Sequence, residues 1–163
     1  MPVGDDTYAY RRDLPHLMKS GKTYYVTFCT RDRRVLIEAE RDVVMACCIR
    51  EHKITCWLHC FVVMPDHVHL ILNPYEDVRL DTIMQRIKSV SAHEINRLTN
   101  RNGPVWQREY FDRILRSTED VRLKAAYICE NPVRAGLVAR VENYKWIWRC
   151  WIEGAPARAP APH

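Results

Sequence analysis

At 163 residues the chain has the length of one domain, and 47% hydrophobic with 28% charged residues is the composition of a globular protein that buries a core without disulfides or structural metal. No apolar run reaches membrane-spanning length and the N-terminus lacks a signal-peptide core, so no membrane partner is expected and the location is expected to be cytoplasmic, in association with the nucleoid. The net charge of +5 gathers in one stretch, with eight basic against four acidic residues between Arg79 and Arg116, and a basic surface suits a polyanion such as nucleic acid as well as it suits plain solvation.

In chain order, the β-branched and aromatic residues of 23–29 predict a strand, followed by a charged loop through Arg31, Asp32, Arg33 and Arg34. Residues 38–53 suit a helix, and 54–63 read as a second strand. Met64-Pro65-Asp66 is a tight connection, and 66–72 form a third strand, the second arm of an antiparallel hairpin. Asn73-Pro74 ends it. Leu80, Ile83, Met84, Ile87, Val90, Ile95 and Leu98 keep helical spacing, and a Gly-Pro break follows at 103–104. Further strand is expected within 105–115. Ser117 and Asp120 have the spacing of an N-cap, and a helix from 118 should end at Asn131, before Pro132. Residues 137–151 are mixed. The domain is expected to span 1–153, with 154–163 a Pro/Ala-rich disordered tail. Interleaved strands and helices with hairpins point to α+β with an antiparallel sheet.

The third strand carries the most informative residues. His67 and His69 stand two apart and so share a face, with Val68, Leu70 and Leu72 on the other. Two co-facial imidazoles suit a metal, although one surface and one satisfied core histidine give the same pattern. The seven cysteines form no Cys-x-x-Cys pair and are expected to be free thiols, while Cys56, His59 and Cys60 leave a zinc site formally open. On the later helix, Tyr127 and Asn131 are four apart on one face, a spacing equally ordinary for a core-edge tyrosine and a helix terminator. Trp106, Tyr110 and Phe111 interleave with Arg108, Arg113 and Arg116, a mixture able to stack bases and hold phosphates. Trp106 and Phe111 read equally as core residues.

Together, "FVVMPDHVHLIL", "VWQREYFDRILRS" and "YICENPVRAGLV" resemble the single-tyrosine HUH transposases, specifically the REP-associated tyrosine transposases related to the IS200-like enzymes, over residues 8–148. The resemblance implies a ferredoxin-like antiparallel sheet packed with helices, the HUH endonuclease fold. It implies that His67, His69 and Asn131 bind a divalent cation, Mg²⁺ or Mn²⁺, and that Tyr127 attacks a DNA phosphodiester to give a 5′-phosphotyrosine and a free 3′-hydroxyl. The implied partner is single-stranded or hairpin DNA of repeated palindromes, bound by a monomer or homodimer. Contact candidates are Arg11, Arg12, Arg31, Arg33, Arg34, Arg108, Tyr110, Arg113 and Arg116. Asp66 departs from the asparagine often found before the first histidine, and Tyr144-Lys145-Trp146-Ile147-Trp148 replaces a pattern richer in serine. Two other readings stand beside it: a catalytically silent hairpin-binding protein of the same fold, and a zinc-dependent hydrolase.

Overall fold

The computed structural model describes residues 8–10, 21–115 and 121–150. Arg11, Arg12, Arg116, the Ser117–Asp120 cap and the 154–163 tail lie outside the described residues. Six strands, β1 (Tyr8–Tyr10), β2 (Tyr24–Cys29), β3 (Cys56–Val63), β4 (His67–Pro74), β5 (Phe111–Ile114) and β6 (Ile147–Arg149), form one sheet in the order β1-β5-β2-β4-β3-β6. Every neighbouring pair is antiparallel. Helices α1 (Glu38–Glu51) and α2 (Leu80–Thr99) join β2 to β3 and β4 to β5, and α3 (Val121–Cys129) and α4 (Asn131–Arg134) follow β5. The inner four strands, β5-β2-β4-β3, have the ferredoxin-like order, with the three-residue β1 and β6 added at the rims.

Pairing partners share a face of the sheet, so register assigns each residue a side. Tyr24, Val26 and Phe28 of β2 lie opposite Leu72, Leu70 and Val68 of β4, and all six are buried. This face carries α2. Trp106 packs edge-on against Phe28, with ring centroids 4.7 Å apart, and donates its indole N–H to Ser91 of that helix at 2.9 Å. Leu80, Ile83, Met84, Ile87 and Ile95 put the apolar stripe of α2 into the core, each fully buried side chain contributing about 1.5–3 kcal/mol relative to exposure. At its end Asn100 takes the left-handed conformation (φ 54°) that asparagine tolerates at a helix stop. At the start of α1, buried Glu40 accepts the Ile37 N–H (2.9 Å) and pairs with Arg34 through two bonds of 2.7 and 3.2 Å.

Two expectations are corrected, and the strand expected within 105–115 is found over a shorter span. β4 continues through Asn73 and Pro74, which pair with Trp57 and Cys56, instead of stopping before them; a proline at a strand end gives up little of the ladder. Within 105–115 only Phe111–Ile114 is strand, because the preceding segment hooks onto the end of β2, where Arg31 N–H donates to Val105 O (2.8 Å) and Gln107 N–H to Cys29 O (2.9 Å). The last helix also breaks: α3 ends at Cys129, and Asn131 opens the separate four-residue α4 with Pro132 in its first turn, where the missing proline N–H costs nothing. Among the described residues no helix is long and apolar enough to cross a membrane.

Candidate active site

The sheet face away from α2 carries the histidines. His67 lies opposite Cys29, His69 opposite Thr27, and Ile71 opposite Tyr25. This register supplies His69 with two partners from β2: the Thr27 and Tyr25 hydroxyls stand 2.9 and 3.0 Å from its Nδ1. Burial, and after it the positive charge of His67, Arg134 and Lys124, pushes His69 down to about 3, so the ring is neutral at physiological pH. The His67 Nδ1–H donates to Asp66 Oδ1 at 2.7 Å, and Asp66 also accepts from Arg33 Nε at 3.0 Å. Burial alone would raise the Asp66 carboxyl, yet these bonds from His67 and Arg33 hold it below the ordinary carboxylate range. The two imidazoles stand edge to face with centroids 4.8 Å apart.

The same face takes α3. Its Ala125, Ile128 and Cys129 are buried, with Cys129 hydrogen-bonded to Cys60 of β3, so the anchored side leaves Tyr127 61% exposed. Lys124 ties the helix to the histidines: its Nζ lies 5.6 Å from the Tyr127 ring centre and 5.2 Å from that of Tyr25, whose hydroxyl reaches His69. Arg134, at the end of α4, donates from Nη2 to Asn131 Oδ1 (2.6 Å) and to the Tyr127 carbonyl (2.9 Å) and lies 4.3 Å from the Tyr127 ring centre.

The two imidazoles suit a divalent cation in their chemistry. Nδ1 of each ring is engaged by the protein, leaving Nε2 as the nitrogen a cation would meet, the arrangement by which outer partners fix the ligating imidazole. Neutral His69 is in the ligating form. Asn131 offers an amide oxygen, used here by Arg134 but with a second lone pair. Among the described residues no group of three or more His, Cys, Asp or Glu side chains is able to hold a metal, so the pair of histidines needs that amide to become a three-ligand site. The zinc grouping of Cys56, His59 and Cys60 is not assembled. His59 Nε2 meets Asn73 Oδ1 at 2.6 Å, Cys60 packs on Cys129, and the thiols of all seven cysteines are free.

The arginines and aromatics divide. Arg31 and Arg108 are exposed, Arg31 in the turn after β2. Arg33 is exposed while its guanidinium bridges Asp66 and the Cys29 sulfur, 3.0 and 3.3 Å away, beside His67. Arg34, Tyr110 and Arg113 differ from the expectation of surface contacts. Arg34 is committed to Glu40, Tyr110 is buried at 6% exposure, and Arg113 is enclosed at 2% because β5 lies between β1 and β2. Of the two aromatics read as core, Trp106 is buried but Phe111 is half exposed, on β5 opposite Thr27. Tyr25, Thr27, Lys124 and Arg134 were not legible as site residues. Only Arg134 carried a signal, three residues after Asn131 and seven after Tyr127, which is helical spacing.

A family model described as "Transposase IS200 like" matches residues 19–131. The chain is 29% identical over 149 residues to a protein of Escherichia coli (strain K12) described as a REP-associated tyrosine transposase, covering 83% of this chain and 78% of that one. It is 25% identical over 154 residues to a Haemophilus influenzae protein given the same description provisionally, covering 84% and 82%. A solved structure of a REP-associated tyrosine transposase bound to a REP hairpin superposes with a TM-score of 0.67 over 80% of this chain and 78% of that one, at 24% identity, a likeness of fold.

Proposed function

The chain belongs to the IS200-like transposase family of enzymes, and from that premise we propose that it cuts and rejoins single-stranded DNA beside palindromic hairpins, with Tyr127 as the nucleophile. The observation that carries this reading is the meeting, on one face of the sheet, of an exposed phenol flanked by two cations with a supported pair of imidazoles. The hairpin partner is inferred from the bound DNA of the related structure.

Tyr127 Oη attacks the phosphorus of a phosphodiester; the bond to the 3′ oxygen breaks, leaving a 5′-phosphotyrosine and a strand with a free 3′-hydroxyl. The ester conserves the energy of the broken bond, so a 3′-hydroxyl can later displace the tyrosine without ATP. A phenol is mostly protonated at neutral pH and is then a poor nucleophile. His67, His69 and Asn131 would hold a divalent cation, Mg²⁺ or Mn²⁺, which would supply Lewis-acid polarisation of the phosphate. The protein's own part is orientation. Asp66 fixes the His67 ring, Thr27 and Tyr25 fix that of His69, and the buried side of α3 fixes the direction from which Tyr127 approaches.

The test is incubation with labelled single-stranded oligonucleotides carrying the palindromic repeats of the source genome, in Mn²⁺, followed by denaturing electrophoresis. A covalent protein–DNA adduct mapping to Tyr127 is expected, absent in Tyr127→Phe while hairpin binding persists. An adduct surviving in Tyr127→Phe overturns the assignment. No adduct with any repeat, despite binding, makes the protein a silent hairpin binder.

A further inference from the structure

Arg134 is exposed, and among the described residues no carboxylate neutralises it. A last-turn arginine usually completes the carbonyls at a helix end, and its bond to the Tyr127 carbonyl does so. That role accounts for one of three contacts. It does not require the guanidinium to seat itself 4.3 Å from the Tyr127 ring centre, nor to take the Asn131 amide oxygen at 2.6 Å. Lys124, one helical turn before Tyr127, brings a second cation, its ammonium, to 5.6 Å from the same ring centre. Two cations thus converge on one exposed phenol. An anion drawn to the phenol meets both, and the planar guanidinium fork matches two phosphate oxygens.

Resting on the reading of Tyr127 as the nucleophile, we propose that Arg134, assisted by Lys124, binds the DNA phosphodiester that Tyr127 attacks. In the absence of DNA the guanidinium rests on Asn131 Oδ1 and the Tyr127 ring. When the strand enters, its phosphate oxygens replace the amide oxygen as acceptor, and Asn131 Oδ1 is released for its own role. Arg134 is therefore a DNA-binding residue of the site as well as a support for α4.

The experiment measures binding rather than turnover, in Tyr127→Phe protein, which retains the ring that Arg134 covers. The probes are hairpin oligonucleotides of the source genome's palindromic repeats with single-stranded extensions, each with one methylphosphonate, moved along the strand one phosphate at a time. At one position the uncharged group should weaken binding about tenfold, the weight of a charge-assisted hydrogen bond. With Arg134→Gln added, the penalty at that position should fall below about twofold, and the salt dependence should lose about 0.7 of slope, the share of one single-strand phosphate. Arg134→Lys should fall between, and because Arg134 also supports α4, the position-specific penalty is compared between variants at a temperature well below the melting temperature of each. If every position carries the same penalty with and without Arg134, the proposal is overturned. An adduct on Tyr127 together with that result leaves the nucleophile standing and removes only the phosphate role. Failure of Tyr127→Phe to bind any of the hairpins overturns both.

Discussion

Asp66 does for His67 what two hydroxyls of β2 do for His69: it takes up Nδ1 and thereby fixes which nitrogen faces outward. Outer partners of this kind are worth about 10–100-fold in metal affinity. Asp66→Ala should weaken Mn²⁺ binding by that order in calorimetry without DNA, Asp66→Asn by less because an acceptor oxygen remains, and His67→Ala with His69→Ala should abolish it. Unchanged affinity in Asp66→Ala would show that the carboxylate merely ties down Arg33. The histidine pair was legible from strand alternation alone. Its supports were not, since Tyr25 and Thr27 stand 44 and 42 positions from His69 and reach it only through the β2–β4 register, which no local pattern encodes.

At the scale of elements, α3 has nine residues, too few to hold a helix by propensity alone, so its packing on β3 decides whether Tyr127 is presented. Ile128 is fully buried there and Leu123 is 70% exposed. Ile128→Ala should lower stability by about 2–5 kcal/mol in urea unfolding, whereas Leu123→Ala should stay within about 0.5 kcal/mol. Equal losses would mean that α3 is not anchored by that side. Long periodic segments such as α2 and the β3–β4 hairpin were readable from the sequence. The break was readable from Pro132, and a short turn or helix from there to Gly136 was expected too; the start of α4 at Asn131, before the proline, was not, because four residues complete barely one turn. Nor were β1 and β6, whose three residues are too few to display alternation.

For the whole molecule, the succession of strands and helices was visible in the sequence, and the class α+β with it. The strand order came with the family resemblance, because pairing across the sheet is fixed by burial of both faces at once. Net positive charge suits a DNA partner, and partly buried histidines make stability depend on pH. Burial foremost, then the charges of Lys53 and His59, lowers the pKa of His52; burial lowers that of His59 against an opposing bond to Asn73. The unfolded chain therefore takes up protons below about pH 6.5 that the folded chain does not yet accept. The fold should lose stability between pH 7.5 and 5.5, read as a lower urea midpoint in metal-free buffer. A midpoint that rises on acidification would contradict it.

The imidazoles and the phenol belong to parts of the chain that open on different terms. His67 and His69 sit on β4, paired on both sides by β2 and β3 and backed by the buried core, so their backbone is released only when the sheet itself unfolds. Tyr127 rides on α3, which no strand pairs and which is held to the sheet through Ala125, Ile128 and Cys129 on one side. The two halves of the site therefore rest on unequal footings, the histidines on the sheet itself and Tyr127 on a single seam between α3 and that sheet.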